Sequence, residues 1–277
     1  MINPYKIKLI ALDVDHTLLN SKSEISEKNR KAVFDVVKEG VHVVIASGRS
    51  TPALYQVRKE LGLLDENSYT VALNGAVILK GGEVLKEEKM DREDAIFLIS
   101  ELKKIPGISG NICLYNSHDS YLAEIETERL RNYGMRTGIM PVVVKNLQDS
   151  AADKVSKILV LSDENTLENA ASIMAALVPS RNRNMFFTER HLLEFTTGGA
   201  TKGRALRVVA DMLNINEKHI LSMGDNENDI SMLEFSRFSF APSNSSEGAK
   251  RAAKITTAES CDESAVAAVI EKYILGH

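Results

Sequence analysis

Residues 7–18, Ile7-Lys8-Leu9-Ile10-Ala11-Leu12-Asp13-Val14-Asp15-His16-Thr17-Leu18, carry the reading of the fold. The run 7–12 is apolar except for Lys8 and stops at an acid, which marks a short buried strand; it is too short for a signal peptide. A polar loop follows at 20–24. Ser26 is then placed to cap a helix in which Ala32, Val33, Val36 and Val37 recur at helical spacing, closed by Gly40. Residues 41–46 read as a second strand, ending in Ser47-Gly48-Arg49-Ser50-Thr51-Pro52, where a tight turn meets a Ser/Thr cap with Pro at the first helical position. A third strand, 69–73, stops at Asn74-Gly75. Buried strands alternating with amphipathic helices predict an α/β, Rossmann-like unit with a parallel sheet.

From Gly81-Gly82 onward the texture changes. Segments 110–115 and 120–123, separated by polar 116–119, predict an antiparallel hairpin, and helical patterns lie at 93–103, 126–133 and 165–177. The alternating pattern resumes with a helix at 202–213, a strand at 220–223 and a final helix at 263–274. The expected organisation is therefore a core made of 1–81 and 191–277, with an α+β cap domain, 82–190, inserted into it.

The chain has 277 residues, with 34 Lys+Arg against 38 Asp+Glu for a net charge of −4, 5% aromatics and no Trp. That balance opposes a dedicated nucleic-acid binder, which needs a basic stripe and stacking platforms. Cys113 and Cys261 form no CxxC pair, so neither a zinc site nor a redox motif is expected. No run approaches the roughly 18 apolar residues of a membrane span. A cytoplasmic protein with no membrane partner is expected.

Three strands end in candidate polar groups: Asp13 and Asp15, Ser47-Gly48-Arg49, and Gly224-Asp225. In open α/β sheets ligands bind outside the carboxyl ends of the strands, so these sets can converge. Asp13 and Asp15 repel each other unless one is protonated or a cation lies between them. The cluster Asp225-Asn226-Glu227-Asn228-Asp229 is not an EF-hand loop, because its sixth position is Ile230 rather than Gly and its twelfth Ser236 rather than Glu. Carboxylates from two strand ends suit a hard divalent ion, Mg²⁺ above all. Ser47-Gly48 at a helix start offers a hydroxyl and free N–H groups to phosphate. Lys202 opens a helix, where a cation opposes the macrodipole by about 0.3–1 kcal/mol, a placement that suits service to a ligand. Acids, a metal, a hydroxyl cradle and a lysine together describe phosphoryl transfer.

In this order, Asp13-Val14-Asp15-His16-Thr17-Leu18, Ser47-Gly48-Arg49, Lys202-Gly203 and Gly224-Asp225-Asn226-Glu227-Asn228-Asp229 resemble the four motifs of the haloacid dehalogenase superfamily. Asn74-Gly75 and the inserted block look like its Cof-type phosphatases. The resemblance implies Asp13 as nucleophile, forming an aspartyl-phosphate, and Asp15 as acid and then base. It implies Mg²⁺ on Asp13, Asp15, Asp225 and Asp229, phosphoryl binding by Ser47, Gly48, Lys202 and Asn228, and substrate contacts from Arg49 and Asn74. A small phosphorylated metabolite such as a sugar phosphate is the expected partner. The runners-up are a phosphomutase, a phosphatase for a phosphorylated disaccharide of the sucrose or mannosylglycerate type, and, in another class, a receiver-like phosphate-sensing module.

The chain departs from the pattern at His16, where Gly is usual, at 241–245 and at 262–266. His16 adds a titratable group beside the metal. In the cap, Arg129, Arg131, Arg136, Arg181, Arg183 and Arg190, with His118 and His191, are either readers of an anionic substrate or solvated charge. Tyr115 and Tyr121 are either hairpin packing or a sugar platform.

Overall fold

A computed structural model describes residues 3, 5–115, 120–151, 155–177 and 183–276. The expected hairpin turn 116–119 with His118, and Arg181, lie outside the described residues. In chain order the strands are β1 Leu9–Leu12, β2 His42–Ala46, β3 Tyr69–Ala72, β4 Val77–Lys80, β5 Glu83–Glu87, β6 Ile112–Tyr115, β7 Tyr121–Ala123, β8 Val142–Val143, β9 Lys157–Leu161, β10 Arg183–Glu189, β11 Leu192–Thr197, β12 Ile220–Met223, β13 Phe238–Ala241 and β14 Ile255–Thr256. They form two sheets, ordered 14-13-12-1-2-3-4-5 and 10-11-9-6-7-8. From β14 through β3 the first sheet is parallel, and β4 returns antiparallel to β3. This is the expected α/β class.

The chain divides into two compact units, one of Met1–Gly48, Leu54–Leu85 and Thr201–His277, the other of Arg49–Ala53 and Lys86–Ala200. The division expected at 190 falls inside a hairpin. Strand β11 pairs antiparallel with both β10 and β9, because Leu193 and Phe195 are needed by the second sheet's core. The chain re-enters the first unit only at Thr201.

In the first unit both sheet faces are covered, which is why β1 and β2 are apolar almost without interruption. Leu9, Ala11, Val44, Ala46 and Val71 pack with Ala205, Leu206 and Val209 of the helix Lys202–Met212. The alternate residues Ile10, Leu12 and Ile45 are buried too, as are Ala32, Val33 and Val36 on the helix Glu27–Lys38. Ser26 caps that helix as expected, its Oγ accepting from the Asn29 N–H at 3.1 Å. The expected terminal helix is broken instead into Ala265–Ile270 and a wider turn Glu271–Leu275, and it starts only after the left-handed Ser264.

Chain order matters here. From β1 the sheet grows one way through β2 and β3, and after the insertion it grows the other way from β12. The connections therefore run toward opposite edges of the sheet from the paired strands β1 and β12, whose seam is the switch point where open α/β sheets place ligands. Register pairs Leu12 with both Met223 and Ile45, so Asp13, Gly224 and Ala46-Ser47 emerge side by side.

In the second unit the helices Arg92–Lys103 and Glu164–Leu177 cover one sheet face, packing Leu98, Leu102, Leu167 and Met174 on Ile112, Leu114, Ile158 and Phe195. Alternation sends Cys113, Tyr115, Tyr121, Lys157 and Glu194 to the opposite face. Tyr115 and Tyr121 are buried with ring centroids 5.2 Å apart, so they are packing residues. The helix Glu128–Thr137 adds Tyr133, 6.2 Å from Tyr121, and runs past the expected end at 133 until the left-handed Gly138 stops it.

Two backbone constraints in the first unit lead to predictions. A Cβ on Gly203 would lie 2.1 Å from the Ser231 carbonyl oxygen, so the helix starting at Lys202 packs against the helix Ile230–Phe235 only with glycine there. Gly203→Ala should cost about 1–3 kcal/mol and lower the denaturant midpoint. His16 sits in the left-handed region at φ 58°, ψ 9°, where a side chain is strained and glycine is at ease. His16→Gly should instead raise stability by up to about 1 kcal/mol in the same assay.

Candidate active site

Asp13 follows β1, its N–H donating to the Met223 carbonyl at 3.0 Å, which fixes it between β1 and β12. Its carboxylate is nearly closed off from solvent, and Oδ1 accepts from Lys202 Nζ at 2.5 Å. The same ammonium donates to Asp229 Oδ1 at 2.6 Å. Asp229 Oδ2 accepts from the N–H groups of Asp225 and Asn226 at 2.9 and 3.1 Å, so one carboxylate ties the loop after β12 to the lysine. A Cβ at Gly224 would come within 2.5 Å of Asp229 Cγ; this glycine makes room for the acid that braces its own loop.

Lys202 opens its helix with Thr201 as cap, whose Oγ1 accepts from the Arg204 N–H at 3.1 Å. The lysine side chain is fully buried, so its charge is turned onto the carboxylates. Ser47, Gly48, Asn74 and Asn228 lie together beside it. Asn74 N–H donates to the Ser47 carbonyl at 3.0 Å, and Asn228 Nδ2 donates to Asn74 Oδ1 at 2.9 Å. A Cβ on Gly48 would press on Asn74 Oδ1 at 3.0 Å. Gly75, at φ 98°, brings this turn so close to the Lys202 helix that a Cβ would meet the Thr201 carbonyl at 2.3 Å. Asp15 is half-buried in the turn after Asp13 and near enough for its charge to act on that carboxylate. Arg49 groups with the second unit and is not among the residues these bonds bring together.

Thr17 is the contributor missing from the expected set. It is fully buried and its Oγ1 donates to Asp225 Oδ1 at 2.9 Å. The available signal was a hydroxyl two residues after Asp15 on a strand-end turn. The left-handed turn at His16 is held by Asn244, whose Nδ2 donates to the His16 carbonyl at 2.9 Å while its Oδ1 accepts from the Cys261 N–H at 2.8 Å. The Asp262 carboxyl, held down by the Ser21 N–H, also feels the charge of His16. The three stretches where the sequence departs from its resemblance thus meet at one place.

The electrostatics are unbalanced. Carboxylate oxygens of Asp13, Asp225 and Asp229 lie within 4.8 Å of one another, with one lysine among them. Burial and then the charge of Asp229 raise the Asp13 carboxyl well above the usual range, with Lys202 pulling it back. Asp225 is pushed up to about 7, by burial and by Asp229, against the hydrogen bond from Thr17. Burial works against the Lys202 charge, yet Asp13 and Asp229 hold its ammonium above the ordinary lysine value. An all-oxygen donor set with negative charge in excess fits a hard divalent cation.

The profile of the haloacid dehalogenase-like hydrolases matches residues 10–270. The chain belongs to that family. The membership agrees with the resemblance drawn from the four motifs and makes the protein an enzyme of the hydrolase class. Among its relatives, the 5-amino-6-(5-phospho-D-ribitylamino)uracil phosphatase YwtE of Bacillus subtilis is 28% identical, across 98% of this chain and 99% of that protein. The phosphatase YwpJ of the same organism is 25% identical across 91% and 94%. A haloacid dehalogenase-like hydrolase of Bacteroides thetaiotaomicron has a similar structure, with TM-score 0.82, 26% identity and coverage of 96% of this chain and 99% of that one. No helix among the described residues is long and apolar enough to cross a membrane.

The raised carboxyls give a signed pH prediction. A carboxyl whose folded value lies above its unfolded value loses its stabilising contribution as pH rises from the unfolded value toward the folded one. In chelator, the contribution of Asp225 should therefore be full below about pH 4, the ordinary carboxylate range, and fall away toward pH 7. Asp225→Asn should flatten that part of the thermal-midpoint profile. Millimolar Mg²⁺ should raise the midpoint at pH 7, and by less in the variant.

Proposed function

We propose that this chain is a Mg²⁺-dependent phosphatase that hydrolyses a small phosphomonoester through a phosphorylated Asp13. The observation that carries the reading is the buried trio Asp13, Asp225 and Asp229 around the single ammonium of Lys202. Three carboxylates against one lysine leave room for a cation, and a phosphate dianion can approach a carboxylate nucleophile only where positive charge offsets the repulsion.

In this reading an Asp13 carboxylate oxygen attacks phosphorus while the bond from phosphorus to the leaving oxygen breaks. Asp15, half-buried and one residue beyond Val14, gives its proton to that oxygen. It then takes a proton from a water molecule, whose oxygen attacks phosphorus, breaks the acyl-phosphate bond and restores Asp13. The Ser47 hydroxyl, the Gly48 N–H, the Lys202 ammonium and the Asn228 amide bind the phosphoryl oxygens, and Asn74 orients the Asn228 amide through their 2.9 Å bond. Arg49 and Asn74 are the candidate contacts to the rest of the substrate. Mg²⁺ held by Asp13, Asp225, the Asp15 carbonyl and, in support, Asp229 would neutralise charge on the phosphoryl group. Thr17 positions Asp225 for that role.

The relatives named as phosphatases support phosphoester hydrolysis, and the name of YwtE, a phosphorylated ribityl compound, supports a sugar-phosphate-like metabolite as the class of substrate. A phosphate-sensing module needs neither an acid at position 15 nor the inserted sheet, so both features favour the enzyme.

Turnover of a generic aryl phosphate tests the reading. Asp13→Asn should reduce kcat by about 10⁴-fold or more, and Asp15→Asn by about 10²–10⁴-fold. Chelator should abolish activity and added Mg²⁺ restore it. Metal-independent turnover, or near-normal rates in Asp13→Asn, would overturn the assignment.

A further inference from the structure

The second unit holds a cavity of about 290 Å³, at the small end of the range for small-molecule sites. Arg129 and Arg136, two turns apart on the helix Glu128–Thr137, line it from one side. The turn between β10 and β11 faces them with Glu189 and His191, and Tyr133, Leu161 and Leu192 line it with apolar surface.

Charge distinguishes this cavity. Within a chain of net charge −4, the helix carries Arg129, Arg131 and Arg136 against Glu128 alone. Two of its arginines are committed: Arg131 Nε donates to Glu126 at 2.7 Å, and Arg136 Nη1 donates to Glu189 at 2.7 Å. Arg129 pairs with no carboxylate among the described residues, and it is the one that lines the cavity without a counter-charge. Arg190, in the turn, is drawn to Glu164 at 3.8 Å.

The lining is also braced from behind. Tyr133 is buried; its hydroxyl reaches the Tyr115 hydroxyl at 3.5 Å, and the Arg136 guanidinium sits 5.6 Å from its ring centroid. Tyr115 in turn lies under Lys157 Nζ, 4.9 Å from the ring centroid, and that ammonium donates to Glu194 at 2.8 Å in a fully buried pair. A ring held by a buried polar network, beside the fixed Arg136–Glu189 pair and the exposed guanidinium of Arg129 on the same helix, offers a ligand an apolar wall and a positive charge.

We propose that this cavity binds a small organic anion, a carboxylate or phosphoryl group on a flat apolar body, with Arg129 taking the charge and Tyr133, Leu161 and Leu192 taking the body. Such an anion is a ligand of the second unit in its own right. The proposal does not rest on the phosphatase reading, since binding is measured without turnover.

Benzoate and phenylphosphonate, whose carbon–phosphorus bond resists hydrolysis, serve as probes in calorimetric titrations of the intact protein. Benzoate should bind the wild type and should bind Arg129→Gln about tenfold more weakly, a loss of about 1.4 kcal/mol. Arg131→Gln, which removes an equal charge from the same helix away from the cavity, should leave the affinity unchanged. Phenylphosphonate should show the same Arg129-dependent site alongside any site at the acid cluster. Equal benzoate affinity in wild type and Arg129→Gln, equal losses in the two arginine variants, or no benzoate binding to the wild type would each overturn the proposal. Aryl phosphate turnover with and without benzoate, in the wild type and in Arg129→Gln, reads any coupling of this site to catalysis.

Discussion

One buried ammonium shared between two carboxylates organises the first unit. Lys202 reaches Asp13 at the end of β1 and Asp229 in the loop after β12, so a single side chain joins three segments that the sequence keeps far apart. Removing one partner from such a buried pair costs about 3–5 kcal/mol, because the charges left behind have lost both water and counter-charge. The glycines are consequences of that arrangement. Gly203 lets the lysine's helix settle on its neighbour, Gly75 lets the Asn74 turn approach the helix start, and Gly224 clears space for Asp229. Each would place a Cβ inside another atom's contact distance, so the motifs are spaced by packing as much as by chemistry.

Much of this was legible in the sequence. The strand before Asp13 and the helix capped by Ser26 follow from periodicity and capping, which act locally. Asp13, Asp225 and Asp229 were readable because acids gather after two separate buried strands, where they repel unless a cation joins them, and Lys202 because a cation opens a helix against its dipole. What escaped depends on distant partners. Strand β11 reads as the resumption of the core, yet its alternating Leu193 and Phe195 are used by the second sheet, and nothing local marks a hairpin at 190–191 as different from a linker. Thr17 escaped for the same reason, since its role exists only once Asp225 lies beside it. His16 was visible as an exception, and the left-handed backbone supplies the reason glycine is usual there.

The second unit uses polar groups differently. Its buried pair Lys157–Glu194 is joined by a 2.8 Å bond, sits against a tyrosine ring, and holds no charge in excess. The acid cluster of the first unit is the opposite case, with carboxyls raised by burial and mutual repulsion. A closed pair of this kind stiffens a sheet, whereas an unbalanced cluster is suited to exchanging ligands and protons. The contrast separates groups that hold shape from groups that do chemistry.

The pairing of β1 with β12 has a consequence for how the molecule comes into being. Thr17 and Asp225, joined by a hydrogen bond across that seam, are 208 residues apart in the chain. During synthesis the first strands leave the ribosome long before their central neighbour exists, while the second sheet, drawn from one nearly continuous stretch, has all its partners much earlier. Closure of so long a loop is slow, and an unpaired apolar strand invites the wrong neighbours. One side of β1 thus has its partner β2 early and the other side waits for β12, whereas the strands of the second sheet are all made before β12 is.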